Sequence, residues 1–172
     1  MNAAGSDRLR VATYNVHQWR ASQSGADHAR SLAVVAELDA DLVALQEVSV
    51  PAGESREELE ADIRAATGLN PLWGPTLYRE DAAYGNALLC RTPPERVIRH
   101  NLSELGREPR GALEARFSVG GLDLMVLATH LGLRAWERRR QAERILRRVA
   151  GTGADAVLLL GDMNEWLPLG RA

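Results

Sequence analysis

The chain has 172 residues, of which 45% are hydrophobic and 26% charged, and its formal net charge is −2 at pH 7. This length suits one domain and is short for two, and the near-neutral charge argues against a surface that attracts nucleic acid everywhere. The sequence contains no apolar run of about 18 residues and opens without a secretory h-region, so we expect neither a membrane span nor an exported protein. The single cysteine, Cys90, cannot form an internal disulfide, which favours a reducing, cytoplasmic location for a protein of bacterial type.

The first third of the chain alternates strand and helix patterns. Residues 9–16 and 41–48 are predicted strands, and residues 27–38 have apolar positions at helical spacing with Asp27 as the N-cap. Residues 55–67 are a predicted helix, because Ser55 and Glu58 have the spacing of a capping box.

The middle of the chain consists of short strand patterns separated by turns. Residues 84–90, 96–102, 112–119 and 122–130 are predicted strands. Gly120 and Gly121 lie between the last two, and this pair is typical of a tight hairpin.

The chain then returns to a helix followed by a strand. Residues 134–149 are a predicted helix with Trp136, Ile145, Leu146 and Val149 on one side, and residues 155–162 form an uninterrupted apolar run that predicts a strand buried on both faces. This order of elements predicts a layered α/β arrangement of packed sheets covered by helices. Such sandwiches often need roughly 200–250 residues, so this chain is on the short side.

Polar side chains lie at the ends of four predicted strands. Strand ends are where a rigid scaffold presents functional groups to a cleft. If these ends converge, the site combines two carboxylates, two carboxamides and an imidazole, a set that suits Mg²⁺ better than a thiolate zinc site and points to phosphate esters. The pairs are Asn15 with His17, Gln46 with Glu47, Thr129 with His130, and Asp162 with Asn164.

Each of these residues also has a purely structural explanation. Asn15 could be a turn or capping residue, Glu47 a paired structural carboxylate, His130 a core histidine, and Asp162 the cap of a following helix. Only their combination, in this order along the chain, favours a catalytic site.

Five segments carry a specific resemblance that spans residues 9–166. The segments "TYNVH", "LQEV", "YGNALL", "THL" and "GDMNE" resemble the ordered motifs of the endonuclease/exonuclease/phosphatase superfamily. The resemblance implies a four-layer α/β sandwich of two mixed sheets flanked by helices, and a Mg²⁺-dependent phosphoric ester hydrolase in which Mn²⁺ is a possible substitute. It covers phosphodiesterases, phosphatases and nucleases without choosing among them.

The resemblance also implies roles for individual residues. Glu47 corresponds to the main metal ligand with Asn15 beside it, His130 to a phosphate contact that stabilises charge or assists the leaving group, and Asp162 to the carboxylate that orients or deprotonates water. Asn164 would align water and phosphate. Further candidate substrate contacts are Asn86 in "YGN", Arg110 in "EPRG" and Trp166, with Trp19 also expected near the substrate; for Arg110, solvent exposure is the more ordinary interpretation.

The chain departs from the family pattern after Asn164. Family members carry a later strand that ends in an Asp-His pair, and no such pair follows in "EWLPLGRA". We therefore expect a single domain, residues 1–172, that lacks its C-terminal strands. Three interpretations remain open: a piece of an active enzyme, a chain completed by a partner or by self-association, or a non-catalytic binder of phosphorylated ligands.

The substrate class remains open as well. A lipid headgroup or another small phosphate ester is favoured over duplex DNA, because the charge is near neutral and the connections are short. The arginine-rich helix could contact nucleic acid or anionic headgroups, but a solvated face balanced by Glu137 and Glu143 is the simpler interpretation.

Overall fold

The described residues form two four-stranded sheets, one short two-stranded sheet and three α-helices. The computed structural model describes residues 8–22, 25–26, 28–50, 53–79 and 82–165. In this part of the chain no helix is long and apolar enough to cross a membrane. The elements are β1 (Val11–Asn15), a 3-10 turn (His17–Trp19), β2 (Arg20–Ser22), β3 (Gly25–Ala26), α1 (His28–Glu37), β4 (Leu42–Ser49), α2 (Arg56–Thr67), β5 (Asn70–Arg79), β6 (Ala82–Cys90), β7 (Arg96–Asn101), β8 (Gly111–Val119), β9 (Leu122–His130), α3 (Ala135–Ala150) and β10 (Ala156–Asp162).

Two mixed sheets pack face to face and helices cover their outer sides. The strand orders are β1-β4-β6-β5 and β10-β9-β8-β7, with the β1–β4 and β10–β9 pairs parallel and the other neighbouring pairs antiparallel. Side chains of β4 and β6 meet those of β8 and β9 in one apolar cluster between the sheets. The helices α1 and α2 cover the first sheet, and α3 covers the second. The predicted four-layer α/β sandwich is confirmed.

Local signals in the sequence explain where several elements begin and turn. Ser55 Oγ accepts the N–H of Glu58 at 3.1 Å, and Glu58 Oε2 accepts the N–H of Ser55 at 2.6 Å, so the predicted capping box is present at α2. Gly120 and Gly121 have φ angles of 59° and 83° and join β8 to β9. Two consecutive positive φ angles are what a two-residue hairpin turn requires, and glycine adopts them without a steric penalty. The proposed cap Asp27 lies outside the described residues.

The strand β5 was not predicted from the sequence. Its segment contains Pro71, Gly74 and Pro75, which argue against a central strand. β5 lies at the end of its sheet, where an edge strand needs no N–H donor on its outer side, and proline is tolerated there.

The buried side of α3 is the predicted one only in part. Ile145 is buried and Val149 packs against the same cluster, as predicted, but Trp136 and Leu146 are 44% and 65% exposed. The side chains of Glu137 and Gln141 are buried in their place. The prediction that Glu137 balances a solvated arginine face is also wrong. Gln141 Oε1 accepts the N–H of Gly132 at 2.7 Å, and Gln141 Nε2 donates to Leu102 O at 3.3 Å and to Glu137 Oε1 at 3.2 Å. A polar row therefore attaches the helix to two loops, and an apolar pattern cannot reveal such a row.

The strand β10 is not buried on both faces. It lies at the end of its sheet, and although Leu158 and Leu160 pack between the sheets, Val157 and Leu159 remain exposed. A continuous apolar run predicts burial on both faces only where a helix also covers the outer face. The cluster beneath α3 is built on β8 and β9.

Candidate active site

Asn15, at the end of β1, lies between two carboxylates from different sheets. Its amide Nδ2 donates to Glu47 Oε1 at 3.0 Å and to Asp162 Oδ2 at 3.2 Å. Its Oδ1 accepts the N–H of His17 at 2.9 Å, which fixes the direction of the amide. The structure thus brings together strand ends that the sequence predicted to converge, and one side chain bridges both acids.

Glu47 occupies a bulge in β4. The β4–β6 register shifts between Leu45 and Val48, and Glu47 has a φ of 58°. A bulge of this kind redirects a side chain out of the regular alternation of the strand. Within the described residues Glu47 Oε2 receives no hydrogen bond, and His17 Nδ1 lies 3.8 Å away. One carboxylate oxygen is therefore available to a ligand.

The end of β10 holds Asp162 through backbone geometry. Gly161 has a φ of 147°, and a Cβ there would lie 1.9 Å from Thr129 O, so only glycine permits this approach to β9. Asp162 Oδ1 accepts the N–H of Asn164 at 2.8 Å. The carboxylate therefore receives one hydrogen bond on each oxygen and is held in a single orientation.

His130 and Asn164 form a buried pair beside the acids. Asn164 Nδ2 donates to Leu131 O at 2.7 Å and lies 2.9 Å from His130 Nε2. Because the amide nitrogen can only donate, His130 Nε2 acts as the acceptor and the ring is neutral with its proton on Nδ1. His130 Nε2 also lies 3.8 Å from Asp162 Oδ2.

Burial and neighbouring groups shift two pKa values in the site. Burial, with the positive charge of Arg110, lowers the pKa of His130 to about 4, although Asp162 and Glu47 act in the opposite direction. Burial alone would raise the pKa of Asp162, but the donors Asn164 N and Asn15 Nδ2 outweigh it, so this pKa is lowered. Near neutral pH the site therefore contains a neutral imidazole next to an ionised carboxylate.

Asn15, Asp162 and Asn164 line an open pocket of about 300 Å³, and Glu47 and His130 lie behind this lining, within hydrogen-bond distance of Asn15 and Asn164. Its donors are carboxylate and carboxamide oxygens with no thiolate, which is the set that hard cations such as Mg²⁺ prefer. The pocket is lined by Thr13, Asn15, Gln46, Gly161, Asp162, Met163, Asn164 and Glu165.

Asn86 and Arg110 lie behind this pocket, around Gly111. Asn86 is buried and its Nδ2 donates to Gly111 O at 3.3 Å, the same oxygen that accepts from Thr129 Oγ1 at 2.9 Å. Arg110 is only 7% exposed, so the interpretation of Arg110 as a solvent-exposed side chain is wrong. Its Nη1 lies 3.2 Å from Glu108 Oε1.

The tryptophan predictions have different outcomes. Trp19 is fully buried beneath the first sheet, donates its indole N–H to Ser49 O and packs edge-on against His28. The expectation that Trp19 lies near the substrate is therefore wrong. Trp166 lies outside the described residues. Cys90 is buried in β6, as predicted.

Two features of the structure were not predicted. His17 Nδ1 lies 3.8 Å from Glu47 Oε2, although this histidine was predicted only to lie at the end of a strand. A separate group of possible metal ligands joins α1 to α2, where His28 Nε2 lies 2.9 Å from Asp62 Oδ2 and Glu54 is close by. These three residues are far apart in sequence and carry no motif spacing, so only the tertiary structure reveals the group.

Comparison with known proteins identifies the family. The model of the endonuclease/exonuclease/phosphatase family matches residues 12–171. The chain belongs to the endonuclease/exonuclease/phosphatase family. Among curated relatives, the uncharacterized protein YbhP of Escherichia coli (strain K12) is 33% identical over 103 residues, which are 55% of this chain and 41% of YbhP.

Solved structures have the same fold. An endonuclease/exonuclease/phosphatase from Beutenbergia cavernae has a TM-score of 0.74 and 28% identity, over 95% of this chain and 50% of that one. TDP2 of D. rerio, solved in complex with a single-strand DNA product, has a TM-score of 0.70 and 20% identity, over 94% of this chain and 63% of that one. The chain thus spans less than half the length of YbhP and half that of the Beutenbergia protein.

Proposed function

We propose that this member of the endonuclease/exonuclease/phosphatase family is a Mg²⁺-dependent hydrolase of phosphoric esters, with Mn²⁺ as a possible substitute. The observation that carries the proposal is the single amide of Asn15 that bridges Glu47 and Asp162. Two acids held by one donor at the mouth of a 300 Å³ pocket have no evident structural purpose. They suit a site for a cation and a phosphate.

Glu47 is the residue best suited to hold the cation. In the part of the chain that the structure describes, its Oε2 receives no hydrogen bond, whereas both oxygens of Asp162 do. A bound divalent cation would neutralise charge on the phosphoryl oxygens. Asn15 orients Glu47, and it could itself ligate through Oδ1 only if the amide turned away from the N–H of His17.

Asp162 is the candidate to orient and deprotonate the attacking water. Its lowered pKa keeps it ionised at neutral pH, and the donors on both oxygens fix the direction of its remaining lone pairs. Asn164 turns its backbone N–H towards Asp162 and its amide towards His130. It thereby sets the distance between the base and the imidazole.

His130 contributes as a neutral imidazole. Its Nε2 accepts from Asn164, so the group offers no positive charge to a phosphate near pH 7, and its role is to position Asn164 and to stabilise charge on a leaving oxygen by a hydrogen bond from Nδ1–H. Asn86, Arg110 and Trp166 remain candidate substrate contacts.

The test is hydrolysis of bis(p-nitrophenyl) phosphate and p-nitrophenyl phosphate with Mg²⁺ or Mn²⁺. We expect Glu47→Gln to lower kcat at least about 100-fold, the scale on which loss of one preorganised electrostatic contact acts. Glu95→Gln, at an exposed position, is the matched control and is expected to keep full activity. The two esters distinguish a phosphodiesterase from a phosphatase, and a single-stranded oligonucleotide tests for nuclease activity.

Two results would contradict the proposal. Turnover by Glu47→Gln at the rate of the unmodified chain would remove Glu47 from the mechanism. Metal binding, measured by calorimetry, without turnover of any ester would instead favour the alternative, a non-catalytic binder of phosphorylated ligands.

A further inference from the structure

A second pocket opens between the two sheets at the edge opposite β1 and β10. It has a volume of about 240 Å³ and lies where β5 of the first sheet faces β7 and β8 of the second. At about 30 Å³ per water molecule, this space equals roughly eight waters, enough for a phosphate group. The polar residues that line it include Thr76, Arg99, Asn101, Ser103 and Arg110.

Arg110 is a buried cation that lines this pocket, and one nitrogen of its side chain has no hydrogen-bond partner. The side chain is 7% exposed, and its Nε has no hydrogen-bond partner. Its carboxylate contact is Glu108, which is itself 44% exposed and meets Nη1 at 3.2 Å. A guanidinium removed from water needs its donors satisfied, because each buried unpaired polar group costs free energy. Nε itself is buried, so an oxyanion in the pocket would instead balance the charge of the guanidinium group that lines it.

The backbone around Arg110 is fixed before any ligand arrives. Ser103 Oγ accepts the N–H of Arg110 at 3.2 Å and donates to Arg110 O at 3.3 Å. Arg144 of α3 holds the same loop through Ser103 O at 3.2 Å and Glu104 Oε1 at 2.7 Å. The backbone that carries Arg110 is therefore preorganised, which lowers the entropic cost of binding a ligand.

The charges around the pocket favour an anion. Arg99 uses its Nε to donate to Trp73 O at 2.8 Å, which leaves its terminal nitrogens available. The nearby carboxylate of Glu114 is occupied by Arg148, with N–O distances of 2.7 and 2.6 Å. Two arginines thus face the pocket against one partly exposed acid, Glu108.

Gly111 connects this pocket to the candidate active site. It follows Arg110 and lines the pocket, and its carbonyl accepts from Asn86 Nδ2 and Thr129 Oγ1. Thr129 directly precedes His130. A ligand that fills both pockets would therefore pass the edge of the sheet where β8 begins and β9 ends.

We propose that the pocket around Arg110 and Arg99 binds a second phosphate group of the substrate, so that the preferred ester carries an anion besides the one that is hydrolysed. This inference rests on the proposed function for the identity of the substrate, but not for the existence of the anion site. Whether it belongs to a substrate or is a free anion, the ligand recognised at this site is a tetrahedral oxyanion held by two guanidinium groups.

The anion site is tested by calorimetric titration of the chain with inorganic phosphate at pH 7 in EDTA, which removes divalent cations from Glu47. We expect binding that Arg110→Gln and Arg99→Gln each weaken at least about tenfold, which corresponds to about 1.4 kcal/mol. Arg96→Gln is the matched control, because residues three apart on β7 point to opposite faces. Arg99 is exposed, so its variant folds even if the Arg110 variant does not.

Substrate use is tested with thymidine 5′-(p-nitrophenyl phosphate) and the same ester bearing a 3′-phosphate. We expect Arg99→Gln to raise KM for the doubly phosphorylated ester at least about tenfold more than KM for the other. If phosphate binds but Arg99→Gln changes KM equally for both esters, the site accepts a free anion and the substrate assignment is overturned.

The two proposals fail in different ways. No phosphate binding, or binding that neither arginine variant weakens, overturns the anion site whatever the enzymatic activity. Phosphate binding that depends on both arginines, with no turnover of any ester in Mg²⁺ or Mn²⁺, supports the anion site and counts against the hydrolase.

Discussion

Glu47 combines a functional carboxylate with an unfavourable backbone conformation. A φ of 58° places it in the left-handed region, which costs a non-glycine residue roughly 1–2 kcal/mol. Such conformations persist where the surrounding structure imposes them, and they are concentrated at functional sites. The bulge turns the carboxylate towards Asn15 and away from the regular alternation of β4.

This strain leads to a prediction that separates stability from activity. We expect Glu47→Gly and Glu47→Ala both to abolish turnover, but Glu47→Gly to be more stable by about 1 kcal/mol, because glycine adopts this φ freely. Chemical denaturation of the two variants measures the difference. Equal stability, or a more stable alanine variant, would show that the backbone at position 47 is not strained.

At the same scale, the sequence predicted which residues gather but not how they are oriented. Strand ends with polar side chains and the family motifs identified Asn15, Glu47, His130, Asp162 and Asn164. The direction of the Asn15 amide depends on the N–H of His17, and the burial of Arg110 depends on a loop held by α3. Both depend on contacts between residues distant in sequence, which no local pattern encodes.

At the scale of elements, α3 is attached to the second sheet by an ionic cluster. Arg148 donates two hydrogen bonds to Glu114, at 2.7 and 2.6 Å, and His100 Nε2 lies 2.6 Å from the same carboxylate. Burial would raise the pKa of Glu114, but the bonds from Arg148 and His100 outweigh it and lower this pKa below its ordinary value of 4.5. A carboxylate with a lowered pKa stabilises the fold above its ordinary pKa, and this contribution disappears as the pH falls through the lowered value.

We therefore expect Glu114→Gln to lower the free energy of unfolding by about 3 kcal/mol at pH 7, the cost of removing one partner of a buried ion pair. The difference from the unmodified chain should narrow as the pH falls from the ordinary value of 4.5 through the lowered pKa of Glu114, where this carboxylate becomes protonated. Urea denaturation across this pH range is the measurement. Glu143→Gln, which loses only an exposed pair with Arg139, should cost less than about 0.5 kcal/mol, and a difference for Glu114→Gln that stays constant with pH would refute the ionic account.

The elements show which kinds of signal the sequence contains. The capping box at Ser55 and the hairpin at Gly120 are local, and both are confirmed. The strand β5 was missed because Pro71 and Pro75 are unfavourable except at a sheet edge, and edge position is a property of the whole sheet. The prediction of the buried face of α3 was wrong at Trp136 and Leu146. Glu137 and Gln141 take part in that face instead, because hydrogen bonds and not apolar contacts hold them there.

At the scale of the whole molecule, β10 offers both an unpaired edge and an apolar surface. Among the strands of the described residues β10 pairs with β9 alone, and Leu159 is 44% exposed on its outer face. Edges of this kind are templates for pairing with another chain, so we expect two copies of this 172-residue chain to associate through β10.

Analytical ultracentrifugation over a range of protein concentrations tests this expectation. Leu159→Glu should weaken the association, because a charge on an edge strand opposes edge-to-edge pairing. Leu146→Glu alters a leucine of α3 that is even more exposed and serves as the matched control. Equal association of both variants, or a chain that is monomeric at every concentration, would refute association through β10.

The Asn15 bridge has a consequence for the order of folding. The first sheet uses residues 11–90 and the second uses residues 96–162, so the sheets are consecutive halves of the chain. Asn15 and Glu47 come from the first half, and Asp162 with its partner Asn164 comes from the second. During synthesis, the N-terminal half can form its strands while half of the site is still absent. The bridge therefore closes only after β10 has been made and the two halves have docked, so the site forms later than the N-terminal sheet that supplies half of it.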